Sequence, residues 1–192
     1  MRLTPIETER LLLRPYADTD AERVLDINGR LDVIRWLGNP PYVPMETLDE
    51  AFAWIQRWRD RHNADHLQRA YAIEVRETGI VAGTALVSRA HRVEGGFVGE
   101  YESGWHLHPD SVGHGYATEA ASAVLDATFA DGLEDVYAGM FPDNGPSAAV
   151  ASRLGLREIG VQEDPWYGGD GRLFHTTREQ WEARFEQDAA TP

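Results

Sequence analysis

Cysteine is absent from the chain. That excludes disulfides, thiolate zinc sites and a cysteine nucleophile. Positive charge is scarce as well: 18 Lys plus Arg stand against 32 Asp plus Glu, for a formal charge of −14. Nucleic acid and anionic membrane surfaces need a basic footprint, so neither is expected as a partner. Long-range attraction favours a cationic partner, although an acidic surface also serves solubility. No apolar run approaches the length of a transmembrane helix. Met1-Arg2-Leu3-Thr4-Pro5 lacks the basic-then-apolar order of a signal peptide, so a cytoplasmic location is expected. Repeats, linkers and low-complexity stretches are missing too. What remains is 192 residues, 42% hydrophobic and 26% charged, which suits one domain over residues 1–192 with its core at about 8–185.

The apolar period switches along the chain. Thr8 to Tyr16 reads as a strand stopped by Pro15, and Asp18 or Thr19 opens a helix lined by Ala21, Val24 and Leu25. Leu31 to Leu37 reads as a second short helix ended by Gly38-Asn39-Pro40-Pro41. Thr47 stands three residues before Glu50, the capping-box spacing, and opens a helix with Leu48, Ala51, Phe52, Ile55 and Trp58 on one face. From Tyr71 the period is two, and Glu77-Thr78-Gly79 turns the chain into a hairpin. After a polar turn over His91–Gly96, a strand runs from Phe97 to Leu107. A helix with a packing face of Ala117, Ala120, Ala121, Val124 and Thr128 then runs to about Ala130. Short strands at 136–140, 156–161 and 173–176, a helix at 144–154 and a Thr177-capped closing helix complete the order. The layout is α/β (α+β), a largely antiparallel sheet with helices on both faces. Asp164 to Gly171 is expected as the mobile loop, and the last residues are expected to fray.

One stretch stands out: His108-Pro109-Asp110-Ser111-Val112-Gly113-His114-Gly115-Tyr116-Ala117-Thr118-Glu119. A strand, a glycine turn and a helix start form a phosphate cradle, because the first helical N–H groups are unpartnered and the helix dipole adds positive charge there. A dinucleotide fingerprint would place glycine where Thr118 stands, after a fully buried strand rather than one carrying Glu100 and Glu102. A Walker loop needs a lysine after the glycine, and there is none.

From Thr8 to about Trp181 the chain resembles the GNAT superfamily of acyl-CoA-dependent N-acetyltransferases, and within it the RimJ/RimL (ribosomal-protein N-terminal acetyltransferase-like) type. The stretches that carry the likeness are Thr8–Arg14, Gly104–Pro109, Gly113–Ala120, Asn144 and Ser147 with Leu154-Gly155-Leu156, and Thr177–Trp181. The resemblance implies a single mixed sheet splayed at its centre, with the pantetheine arm of acetyl-CoA in the splay and no metal. It implies direct attack of a primary amine, from a protein N-terminus or a small molecule, on a thioester polarised by a backbone N–H near Leu107. It assigns cofactor contacts to Leu107, His108, Gly113, His114, Gly115, Tyr116, Ala117, Thr118, Asn144 and Ser147.

The attacking amine must lose a proton. Glu102 is the first candidate for general base, Glu100 the reserve, and Ser103 a group that could orient a water. The family's usual helix tyrosine, the acid for the departing thiolate, matches Ala151 here, which leaves Tyr116 and Tyr167 as candidates by type. Asp110 and His114 occupy positions where amide or basic side chains are common in the family. The loop is therefore expected to have little fixed charge and to bind through its backbone, with His114 helping only when protonated. His106 and His108 alternate on the strand as a metal pair would, but no third ligand is fixed, and His106 reads better as a strand histidine or proton relay. Trp54 and Trp58 read as core, whereas Trp36, Tyr42, Trp166 and Tyr167 lie in turns that could meet the acceptor. Exposed sheet edges admit a homodimer. Two rival readings are a non-catalytic acyl-CoA-binding sensor or partner module and a nucleotide-binding oxidoreductase.

Overall fold

Alternating apolar residues at Leu11 and Leu13, then at Tyr71, Ile73 and Val75, build the centre of a sheet. The computed structural model describes residues 3–91 and 97–189. Most of the polar turn expected before Phe97, and residues 190–192, where fraying was expected, lie outside the described residues. The strands are β1 (Ile6–Glu7), β2 (Leu11–Pro15), β3 (Arg69–Val75), β4 (Val81–His91), β5 (Phe97–Leu107), β6 (Asp135–Met140), β7 (Arg157–Glu163) and β8 (Asp170–Thr177). The helices are α1 (Ala21–Asn28), α2 (Leu31–Ile34), α3 (Leu48–Ala64), α4 (Tyr116–Ala130), α5 (Gly145–Arg153) and α6 (Arg178–Ala189).

All eight strands join one sheet in the order β1-β2-β3-β4-β5-β6-β8-β7. Every neighbouring pair is antiparallel except β5 and β6. These two are parallel and share a single rung, Glu102 opposite Tyr137. Beyond that rung, β5 continues to Leu107 and β6 to Met140 with no further pairing, so the sheet opens there.

Helices cover both faces. The alanine face of α4 packs on β2, β4 and β5 within one buried cluster that includes Leu11, Leu13, Tyr71 and Ile73, and the small side chains let the helix lie close. On the other face Ala51 and Ile55 of α3 and Val24 of α1 pack on Tyr16, Ala72 and Val81. Leu125 is fully buried in the first layer, and truncation of such a side chain to alanine costs about 2–5 kcal/mol. The expected capping box of α3 forms: Thr47 Oγ1 accepts from the Glu50 N–H at 3.3 Å, and Glu50 Oε2 accepts from the Thr47 N–H at 2.9 Å. Its expected apolar face is corrected, because Leu48 and Phe52 are exposed while Ala51, Ile55 and His62 are buried. The short helix expected over 31–37 is a single turn, Leu31–Ile34.

Candidate active site

Both glycines of the phosphate turn adopt positive φ, 89° at Gly113 and 80° at Gly115. A Cβ at Gly113 would meet nothing within 4 Å, so the backbone stands open to a ligand. The hydrogen-bond ladder of α4 starts with the Glu119 N–H donating to the Gly115 carbonyl at 3.1 Å. The N–H groups of Tyr116, Ala117 and Thr118 are therefore free of helical acceptors and lie at the positive end of a 15-residue helix.

The turn's own residues carry little fixed charge, but two arginines from elsewhere in the chain reach it. Arg10, just before β2, reaches it from 104 residues away: Nη1 donates to the His114 carbonyl at 2.8 Å. Its Nε and Nη2 pair with Glu119 Oε2 at 2.7 and 2.6 Å, and its guanidinium lies 5.2 Å over the Tyr116 ring. His114 stacks on that same ring, with centroids 5.3 Å apart. Glu119 also accepts from Thr8 Oγ1 at 2.6 Å and from the Arg10 N–H at 2.9 Å, and these donors hold its carboxyl below the usual carboxylate range despite desolvation. From the other side Arg153 of α5 donates to Thr118 Oγ1 at 3.2 Å. The sequence reading missed both arginines.

The gap between β5 and β6 is edged by unused donors. The His108 N–H donates to the Ala82 carbonyl on β4 at 2.8 Å. Strand alternation then turns the N–H groups of Trp105 and Leu107 the other way, into the gap. Three buried polar atoms on the same strand have no hydrogen-bond partner: Glu100 Oε2, Ser103 Oγ and Trp105 Nε1. At the far side Asn144 caps α5, its Oδ1 accepting from the Ser147 N–H at 3.2 Å. Open loop N–H groups, two arginines and a donor-lined gap fit the polyanionic end and the amide-bearing arm of acetyl-CoA.

Glu102 lies on the α1/α3 face at the closed end of this gap. Its Oε1 accepts from Tyr167 Oη at 2.5 Å and from Ser88 Oγ at 3.1 Å. Burial pushes its pKa above the ordinary glutamate value, against the opposing effect of these two hydrogen bonds. Tyr167 is pushed up as well, by burial and by the Glu102 charge. Glu100, two residues back, shares the face. Ser103 is one residue on, so the pleat points it to the opposite face, where it is buried and cannot share a water directly with Glu102.

His106 is the other titratable group near the gap. Tyr16 Oη has one proton and donates it to the Gly83 carbonyl at 3.0 Å. Its contact with Thr84 Oγ1 at 2.8 Å must then be donated by Thr84, so Thr84 accepts from His106 Nε2–H at 3.0 Å. The chain fixes the imidazole with its lone pair on Nδ1, and burial lowers its pKa to about 4, which keeps it neutral. His108, expected at the cofactor, is buried: its Nδ1 accepts from the Asp110 N–H at 3.1 Å and its Nε2 faces Asp26 Oδ2 at 3.2 Å. Its side chain is committed to shaping the turn. Among the described residues no group of three or more His, Asp or Glu is placed to hold a metal ion.

The loop expected to be mobile, Asp164–Gly171, carries hydrogen bonds of its own. Asp164 Oδ1 accepts from the N–H groups of Trp166 and Tyr167 at 2.8 and 2.9 Å, and the Asp164 N–H donates to the Gly169 carbonyl at 2.7 Å. Trp166, expected to face the acceptor, is instead buried against Ala90 and Leu173. Asn39 Nδ2 donates to the Tyr167 carbonyl at 2.7 Å, joining the α2–α3 turn to this loop. Ala151, at the family's tyrosine position, is fully buried.

Residues 10–157 match the acetyltransferase (GNAT) domain family, and the chain belongs to that family of acetyl-CoA-dependent acetyltransferases. YoaA of Bacillus subtilis (strain 168), an uncharacterized N-acetyltransferase, is 29% identical over 167 residues, 84% of this chain and 88% of that protein. Two solved structures share the fold at lower identity. The ribosomal-protein-S5-alanine acetyltransferase from Vibrio fischeri has a TM-score of 0.72 at 19% identity, covering 93% of this chain and 99% of that one. The microcin C7 self-immunity acetyltransferase MccE, in complex with acetyl-CoA and AMP, has a TM-score of 0.70 at 18% identity, covering 88% and 93%.

Proposed function

We propose that the chain moves an acetyl group from acetyl-CoA to a primary amine by direct attack in a ternary complex, as an enzyme of the RimJ/RimL type working in the cytoplasm. The observation that carries this is the placement of Glu102, a half-buried carboxylate of raised pKa, on the strand whose Trp105 and Leu107 N–H groups face the open gap. In this reading the residues from Gly113 to Thr118, with Arg10 and Arg153, hold the pyrophosphate. Leu107 and Asn144 hold the pantetheine arm, and acetyl-CoA supplies an activated acyl group. The Trp105 or Leu107 N–H stabilises charge developing on the thioester oxygen. Glu102 takes the proton of the incoming ammonium, with Tyr167 and Ser88 orienting its carboxylate. The docking of Thr8 and Arg10 on Glu119 supports the RimJ/RimL assignment, because it joins two of the stretches that carry that resemblance.

The test is release of free CoA thiol with a panel of peptides with free N-termini and small amines, for the wild type and Glu102→Gln. Acetylated product from the wild type, with turnover lost in the variant and acetyl-CoA binding retained, is the expected result. Binding of acetyl-CoA without thiol release for any amine favours the sensor reading. None of the 18 basic residues is lysine, so self-acetylation of lysine adds no background.

A further inference from the structure

A groove of about 900 Å³ runs between α3, the end of β2 and the segment that precedes β1. Acyl transfer as described above does not use it. Strands β3 and β4 stand between β2 and β5, so the groove is separate from the opening at β5. Ile55, Tyr16 and Trp58 give it apolar walls, and Arg14, Arg59 and His62 line it as well. Among the described residues no acidic side chain lines it, although the chain carries a net charge of −14.

His62 is 6% exposed. Its Nδ1 lies 2.9 Å from the Gln68 carbonyl, which can only accept, so Nδ1 carries the ring proton. Nε2 is then a bare acceptor. It is buried and meets no hydrogen-bond partner among the described residues. An acceptor left in that state is costly, and a ligand donor that reaches it offsets the cost. The two arginines differ in what they can offer. Arg14 is saturated, with Nη1 and Nη2 on Asp20 and Nε on Glu74. Arg59 Nη1 pairs at 2.8 Å with Asp18, whose side chain is 69% exposed. A pair so open to solvent is weak, and another carboxylate can take the place of Asp18. Ile55, Arg59 and His62 follow at steps of four and three residues, on one face of α3. That face presents an apolar side chain, an exchangeable cation and an orphaned acceptor to one space.

We propose that this groove is a second ligand site, and that its ligand is an aromatic carboxylate whose ring bears a hydroxyl. The hydroxyl donates to His62 Nε2, the ring packs on Trp58 and Ile55, and the carboxylate replaces Asp18 at Arg59. A cationic ligand would face two arginines with no acid in the lining. A plain hydrocarbon would leave Nε2 orphaned. The site stands whether or not the acetyl-transfer reading does.

The experiment titrates 4-hydroxyphenylacetate, phenylacetate and 4-hydroxyphenylacetamide into wild type, His62→Asn and Arg59→Gln by calorimetry, each with and without saturating acetyl-CoA. Phenylacetate lacks the donor, and the amide lacks the charge. Asparagine keeps a donor near the place of Nδ1 and removes Nε2. Glutamine at the partly exposed position 59 removes the cation and leaves the core alone. The wild type should bind 4-hydroxyphenylacetate at one site, about fivefold or more tighter than phenylacetate. It should also bind it about threefold or more tighter than the amide. His62→Asn should erase the first preference and keep the second, and Arg59→Gln should do the reverse. Acetyl-CoA should leave all of these affinities unchanged. No binding by the wild type, equal binding of the three compounds, or displacement by acetyl-CoA overturns the proposal. So does a preference that survives in its matching variant. If His62→Asn does not fold, the three compounds on wild type and Arg59→Gln still decide it.

Discussion

Replacing Arg10 by alanine should weaken acetyl-CoA binding far more than the exposure of the side chain suggests. The Arg10–Glu119 pair is half open to solvent, with 46% and 17% side-chain exposure, so the pair contributes about 1 kcal/mol or less to stability. The effect on binding has a different origin. Glu119 lies in the first turn of the helix that would receive the pyrophosphate, and Arg10 neutralises it. With Arg10 gone, Thr8 and the residue 10 N–H still hold the carboxylate ionised and in place. A bare negative charge within one helical turn of a phosphate, roughly 5 Å, costs about 1–3 kcal/mol at effective dielectrics of 20 to 80. Loss of the hydrogen bond to the His114 carbonyl adds about 1 kcal/mol of loop order. The variant should therefore bind acetyl-CoA about 30- to 1,000-fold more weakly by titration calorimetry. Adding Glu119→Gln should restore most of the affinity, because it removes the unmasked charge, and Arg10→Lys should fall between, lacking the planar fork. An Arg10→Ala affinity within twofold of wild type, or no recovery in the double variant, would refute this reasoning.

Other outcomes follow from the same geometry. Glu102→Gln should lower kcat by about 10²–10⁴-fold while acetyl-CoA still binds. The wild-type rate should rise with pH through an acid limb above the ordinary glutamate range, and the variant should lose that limb. Because burial raises the Glu102 pKa, its linkage contribution to stability is full below the unfolded-state value and is lost as pH rises through the folded one. Glu102→Gln should therefore melt higher than wild type at pH 7 and lose that advantage in acid, as read by calorimetric scans. Arg153→Ala should weaken acetyl-CoA binding by about 2- to 10-fold at low salt, with the difference fading as salt rises, since this arginine pairs with no carboxylate among the described residues. Thr84→Val should destabilise by about 1–3 kcal/mol in urea, because the half-buried His106 Nε2–H and the buried Tyr16 hydroxyl both lose a partner. Thr84→Ser should be close to neutral.

Local chemistry was legible in the sequence where both partners stand within one turn of each other. Thr47 with Glu50, Asn144 with Ser147, and the glycines at 113 and 115 each announce their conformation through spacing alone, and each forms as expected. The mixed, centrally opened sheet follows from the resemblance of several stretches rather than from any one, and its strand order comes from the structure. Arg10 escaped because its partners lie more than 100 residues away and meet it only after β2 pairs with β3 and α4 packs across them. The Asp164–Gly171 segment reads as flexible with three glycines among its eight residues, yet a single carboxylate accepts the two N–H groups at its turn. Leu48 and Phe52 continue an apolar period on a helix whose buried stripe is narrower than the pattern suggests. Ser103 adjoins Glu102 in sequence and is separated from it by the pleat.

The most direct test of the central claim is a crystal structure with acetyl-CoA bound. The account predicts the pyrophosphate on the N–H groups between Gly113 and Thr118, flanked by Arg10 and Arg153. It also predicts the pantetheine arm between β5 and β6, with the thioester oxygen within hydrogen-bond distance of the Trp105 or Leu107 N–H and the acyl carbon facing Glu102. Acetyl-CoA bound outside the gap, or with its acyl group turned away from the face that carries Glu102, would contradict it.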